Sequence, residues 1–174
     1  MHIISAATIN DVKALNQLVN SAYRGDSSRK GWTTEADLLD GIRTSEAALL
    51  NIIEGKAILL KYEENHQLKA CVLLEPKAQK LYLGMLTVDP ELQGKGIGKL
   101  LLASAEQEAQ RLQCTAIFMT VISIRKELID WYIRHGYRFT GETQPFPMHD
   151  PAFGLPKQPL EFWVLEKVIS PINR

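Results

Sequence analysis

The run Gln93-Gly94-Lys95-Gly96-Ile97-Gly98, set inside Leu81 to Leu112, limits what this chain can fold into more than any other stretch. Before it, Leu81 to Val88 is an apolar segment rich in strand formers. It stops at Asp89-Pro90, where proline lacks the N–H a ladder needs and biases its predecessor away from the helical region. After it, Ile97, Leu101, Ala105 and Leu112 recur at roughly helical spacing, while Lys99, Glu106, Gln107, Gln110 and Arg111 mostly fill the other faces, as in an amphipathic helix. The reading is strand, glycine loop, helix.

Glycines at alternate positions cost backbone entropy, a cost that makes sense where the chain must take positive φ or let another group approach its main chain closely. A loop of this kind opening a helix aims several N–H groups at one spot. The positive end of the helix dipole and the nearby Lys95 and Lys99 make that spot attractive to a phosphate or pyrophosphate. The plainer alternative is a tight turn with nothing bound. A P-loop is excluded, because Gln93 stands where its first glycine belongs and Leu100 where Ser or Thr should hold magnesium. A dinucleotide G-x-G-x-x-G is excluded too, since its third glycine would fall on Lys99 or Leu101.

What fits is Q-x-x-G-x-G, carried by Gln93, Gly96 and Gly98 after a strand ending in V-D-P. This resembles the acetyl-CoA signature of the GCN5-related N-acetyltransferases, the GNAT family. The resemblance implies that amides of the loop, Gln93, Gly94, Lys95, Gly96, Ile97, Gly98 and Lys99, hold the CoA pyrophosphate. It further implies that the main chain of Leu86, Thr87 and Val88 bonds the acetyl carbonyl and the pantetheine arm.

With 174 residues, 45% apolar and 23% charged, the chain is expected to form one α/β domain over 1–174 with a sizeable core. Twenty basic and twenty acidic residues cancel, so neither nucleic acid nor a membrane is expected as a partner. No charged-then-apolar leader opens the chain, and no apolar run approaches the roughly 18 residues a membrane span needs, which predicts a soluble cytoplasmic protein. Cys71 and Cys114 lie in apolar strand-like runs and read as two buried thiols, without metal spacing.

Along the chain, residues 2–6 form an opening strand, and Thr8 with Asp11 three on resembles a capping box for a helix carrying Val12, Leu15, Leu18, Val19 and Tyr23. Thr34 with Asp37 predicts a second capped helix bearing Leu38, Leu39 and Ile42. A short helix follows over 45–54, with a strand as the alternative. Residues 57–63, 68–74 and 80–88 form an antiparallel meander with turns at 65–67 and 76–78. The strand 114–121 should run parallel to 81–88, because the helix between them forms a crossover. Ser123 is expected to cap a helix running to about His135, Gly136 to end it, and strands to follow at 137–140 and 160–168. The proline-rich residues 143–159 read as a long loop of the kind that lines binding sites. The GNAT resemblance implies the same architecture: a mixed, mostly antiparallel sheet with a central splayed parallel pair, flanked by helices.

Acetyl transfer from a thioester to an amine needs the amine to lose a proton, and the departing thiolate is eased by gaining one. An alkylamine is neutral in only about one molecule in a few thousand at pH 7. The segment 131–137 resembles the second GNAT signature, in which a tyrosine four residues before a helix-ending glycine aims its hydroxyl at the thioester sulfur. Tyr132 takes that place and is the candidate general acid; the alternative is a surface residue of an amphipathic helix. Many members carry an asparagine seven residues earlier that contacts CoA. Here the position is Arg125, whose guanidinium could reach CoA oxygens instead.

On the acceptor side, Glu35 is the second catalytic candidate, placed to attract a cationic amine, against the alternative that it complements a helix dipole. Trp32, Phe146, Met148 and Phe153 are candidates for an apolar wall, with His149 and Asp150 as polar contacts. Four scattered histidines do not make a metal site. The expected activity is acetyl-CoA-dependent N-acetylation of a small-molecule or peptide amine by direct attack, in a monomer or homodimer. The alternatives are a CoA-binding sensor without turnover, or an acyltransferase using a hydroxyl acceptor or a longer acyl chain.

Overall fold

A computed structural model describes residues 1–24, 28–29, 34–148, 150 and 154–171. Its seven-stranded sheet has the order β1-β3-β4-β5-β6-β9-β7, with β1 at His2–Ala6, β3 at Ile58–Glu64, β4 at Gln67–Lys77 and β5 at Lys80–Val88. The remaining strands are β6 at Ala116–Ile122, β7 at Arg138–Pro145 and β9 at Glu161–Val168. Two short strands, β2 at Leu39–Asp40 and β8 at Leu155–Pro156, pair apart from it.

The meander turns are tight. Asn65 and His66 both take positive φ, 52° and 64°, as a two-residue turn matched to strand twist requires. Lys77 pairs with Lys80, so the next turn is Ala78-Gln79 and the strands run further than the apolar pattern indicated. Every pairing in the large sheet is antiparallel except β5 with β6, which pair only over Lys80–Tyr82 and Ala116–Phe118. Beyond those residues the two strands continue without pairing, and a V opens in the middle of the sheet.

Helices cover both faces. On one, α1 at Val12–Tyr23 and α2 at Glu46–Glu54 bury Leu15, Leu18, Val19 and Leu49 against Leu59, Cys71 and Met85. Thr8 and Asp11 form the expected capping box, with the Thr8 N–H 2.8 Å from Asp11 Oδ2, and the Ser45 hydroxyl accepts from Ala48 N–H at 3.1 Å. On the other face, α3 at Ile97–Arg111 and α4 at Lys126–Arg134 pack Leu101, Ala105, Ile129 and Tyr132 against Leu81, Leu83 and Ile117. Each such fully buried aliphatic side chain contributes roughly 1.5–3 kcal/mol.

Three expectations are corrected. The Thr34 to Ile42 stretch is not a helix: after a turn at 36–38, Leu39 pairs with Pro156 as a strand. The Thr34 hydroxyl accepts from Ala36 N–H at 3.1 Å, a local turn that uses the capping signal without propagating a helix. Helix α4 begins after Arg125 rather than at a Ser123 cap. The late loop is shorter than expected, because β7 runs on to Pro145 and pairs with Glu161 on β9. Cys71 and Cys114 are both buried and unpaired, with burial pushing the Cys71 thiol up to about 12.

Candidate active site

The glycine loop lies at the open end of β5. Gln93 Nε2 donates to Val88 O at 3.2 Å and so ties the loop to the strand it leaves. Gly94 and Gly96 take φ of +84° and +83°, and a Cβ on either would meet nothing within 4 Å. The left-handed backbone explains why glycine stands at both positions, and the open space above it leaves room for a ligand. Gly96 is the N-cap of α3 and offers no side-chain cap to the free N–H groups of the first turn. Gly98 packs differently, since its Cβ would stand 3.3 Å from the Trp131 ring on α4.

A cavity of about 550 Å³ opens over this loop, between it and α4. Leu86, Val88, Gln93 and Gly94 line it from the strand side, and Gly96, Ile97, Gly98 and Lys99 from the helix start. Lys95 is exposed and lies outside the lining; Thr87 is buried, and its hydroxyl donates to Met85 O at 2.9 Å. Thr87 therefore braces the strand.

What it braces is a β-bulge. Cys71 pairs with Thr87 and Leu73 with Gly84, so Met85 and Leu86 together face Val72 alone. Met85 takes φ +51°, left-handed for a non-glycine residue, and the carbonyl of Leu86 turns to accept the Tyr23 hydroxyl from α1. Neither the bulge nor Tyr23 was singled out by sequence. A methionine carries no local signal for positive φ, and Tyr23 reads simply as a core position of its helix.

On the far side of the bulge is a second cavity, about 1010 Å³, in the V between β5 and β6. Tyr23, Leu86, Leu128 and Tyr132 line both cavities, so the two spaces meet there. Among the described residues nothing hydrogen-bonds the Tyr132 hydroxyl, and its oxygen is not sealed off as that of Tyr137 is. Burial, helped by the neighbouring Tyr23 and Tyr137 and opposed by Arg125, raises the Tyr132 phenol well above its usual value. Burial likewise pushes Tyr23 up to about 12. Both are protonated acids throughout the physiological range.

Glu35 and Arg125 stand in the second cavity. Arg24 Nη2 lies 3.0 Å from Glu35 Oε1, and Arg125 Nη1 lies 3.2 Å from Oε2, so both carboxylate oxygens face guanidiniums. Glu35 thus meets guanidiniums of its own chain on both oxygens, and Arg125 lines the V rather than the cavity over the glycine loop. Phe146 is buried and packs on Phe162 with a ring separation of 5.1 Å, while Met148 is partly buried against the same cluster. Phe146 lines the second cavity and Met148 does not. Trp32, His149 and Phe153 lie outside the described residues. His2 stacks on Tyr62, His66 sits in its turn, and among the described residues no group of three His, Cys, Asp or Glu could hold a metal ion. Among the described residues no helix is long and apolar enough to cross a membrane.

The fold is shared with solved N-acetyltransferases. One from Staphylococcus aureus superposes with a TM-score of 0.73 at 16% identity, covering 97% of this chain and 97% of that one. The ribosomal-protein-alanine N-acetyltransferase from Brucella melitensis gives 0.71 at 19%, covering 96% and 99%. The PaiA N-acetyltransferase from Thermoplasma acidophilum, solved in complex with coenzyme A, gives 0.69 at 19%, covering 97% and 99%. No curated protein matches the sequence. Residues 35–147, well over half of the chain, match the acetyltransferase (GNAT) domain family, and the chain belongs to that family.

Proposed function

We propose that this acetyltransferase takes acetyl-CoA in the groove over residues 93–99 and passes the acetyl group to an amine held in the V between β5 and β6. The observation that carries this reading is that the two cavities meet at Leu86 and Tyr132, so donor and acceptor reach one point without an intermediate on the protein. The free amides at the start of α3 suit the diphosphate of the carrier.

Main-chain N–H groups at the end of β5 polarise the acetyl carbonyl, the contribution from which most of the rate derives. The amine nitrogen bonds to the carbonyl carbon, the C–S bond breaks, and the thiolate takes the Tyr132 proton while the amine gives its own to solvent. Both oxygens of Glu35 are engaged by guanidiniums of its own chain, so Glu35 positions Arg24 and Arg125 rather than abstracting that proton. The guanidiniums around the V favour the uncharged amine over its ammonium form, which reduces the need for a dedicated base.

Titration calorimetry with acetyl-CoA, followed by thiol release in the presence of pooled primary amines, tests the proposal. Heat together with amine-dependent release is expected. Heat without release would identify a CoA-binding sensor, and no heat at millimolar CoA with the fold intact would overturn the reading.

A further inference from the structure

The V is a cationic chamber with an apolar wall, and one of its arginines is left without a carboxylate. Arg24 and Arg125 are engaged with Glu35, but among the described residues no carboxylate pairs with Arg43. Its guanidinium carbon lies 5.6 Å from the centre of the Tyr23 ring. That ring carries the hydroxyl bonded to Leu86 O, at the junction of the two cavities. The free cation and the reaction centre therefore share one side chain.

Arg43 is also held firmly for a residue outside any helix or strand. Its N–H donates to Asn20 Oδ1 at 2.7 Å, and the Thr44 N–H donates to the same oxygen at 3.1 Å. Asn20 Nδ2 returns a bond to Thr44 O at 3.1 Å, and Arg24 Nη1 donates to Ile42 O at 3.1 Å. Four bonds with Asn20 on α1 and with Arg24, the residue that caps its C-terminus, thus fix the main chain on both sides of Arg43. A guanidinium resting over a ring face keeps its planar N–H fork for a planar oxyanion, which it can bind bidentately.

We propose that the acceptor amine carries a carboxylate, and that Arg43 binds it. The Arg43 guanidinium and the Leu86 carbonyl both contact Tyr23, an arrangement that suits an acceptor whose amine and carboxylate are close together, as in an amino acid. The aromatic side chains of Phe118, Phe146 and Phe162 on the wall accommodate an apolar remainder. This inference rests on the acetyltransferase reading above, and its test separates the two.

Thiol release from acetyl-CoA is measured with matched triplets built on glycine, leucine and phenylalanine: the free amino acid, its carboxamide and the decarboxylated amine. The expected result is a kcat/KM roughly ten- to a hundredfold higher for the acids, the range a charged hydrogen bond supplies. Arg43→Gln should abolish that preference while leaving acetyl-CoA binding by calorimetry unchanged, and Arg43→Lys should restore part of it. Equal rates across each triplet, or a preference that survives Arg43→Gln, would overturn the carboxylate assignment and leave the transferase reading standing. Bound acetyl-CoA with no release for any member or for the pooled primary amines would overturn both.

Discussion

Arg125 Nη1 donates a hydrogen bond of 3.2 Å to Glu35 Oε2, joining the start of α4 to the segment before β2, with both side chains less than a tenth exposed. Glu35 also receives Arg24 Nε at 3.1 Å, so one buried carboxylate holds two guanidiniums. Burial lowers the Arg24 pKa and the Glu35 charge opposes that shift, a sign that the pair is held against a desolvation cost. Removing the carboxylate leaves two buried cations facing each other, whereas removing Arg125 leaves Glu35 still paired. Glu35→Ala should therefore cost about 3–5 kcal/mol and Arg125→Ala distinctly less. Urea unfolding of both variants measures the order, and equal losses would contradict it.

Gly96 offers a cleaner probe of the loop. Its φ of +83° strains any side chain, yet a Cβ there meets nothing in the protein, so the stability loss for Gly96→Ala should be only about 1–2 kcal/mol. The methyl would stand in the space proposed for the diphosphate. Acetyl-CoA affinity should fall roughly tenfold or more, from lost contacts to the charged group. Calorimetry beside a melting curve reads both quantities. A variant that binds acetyl-CoA normally would remove the loop from its role.

The parts that were legible in the sequence are those set by local physics. Alternate glycines, a proline stop and the 3.6-residue spacing of Ile97, Leu101 and Ala105 announce strand, loop and helix without help from the rest of the chain. The splay of β5 from β6 is different, since it depends on where pairing ceases after Tyr82 and Phe118. Residues 34–42 misled because Thr34 and Asp37 look like a cap, while pairing of Leu39 with Pro156 decides the outcome from far along the chain. The cluster of Arg24, Glu35 and Arg125 was equally hidden. Each residue alone is an ordinary surface charge, and only the fold brings Arg125 to within reach of a glutamate 90 positions away.

Asp11 gives a pH-dependent stability test outside the site. Burial raises its pKa, but the Thr8 N–H and the Lys61 ammonium, 3.1 Å away, outweigh this and hold it below the usual carboxylate value. With the folded pKa below the unfolded one, the stabilisation is complete above about pH 4 and disappears as pH falls through the folded value. Asp11→Asn should therefore cost about 1 kcal/mol at pH 7 and progressively less below about pH 4. Urea midpoints of the two proteins at pH 7 and pH 3 check it. A gap of the same size at both would show that the charge contributes nothing.

Tyr132 separates binding from chemistry. Its hydroxyl has no partner among the described residues, so Tyr132→Phe removes an oxygen without orphaning another group, and acetyl-CoA binding should change less than about twofold. Turnover should fall by roughly ten- to a hundredfold, the low end for a general acid, because a thiol near pKa 8.5 is already a fair leaving group. The raised pKa adds a second signature. Burial keeps the phenol protonated well past its ordinary value, so the acid is not lost as pH rises through the assay range. The amine gains its neutral form over that same range, by about tenfold per unit below its own pKa. Wild-type kcat/KM should then climb from pH 6 to about pH 9 without a descending limb, and Tyr132→Phe should run parallel and lower. A wild-type rate that turns down near pH 8, with the fold and CoA binding intact, would mean that the proton comes from a more acidic group than this tyrosine.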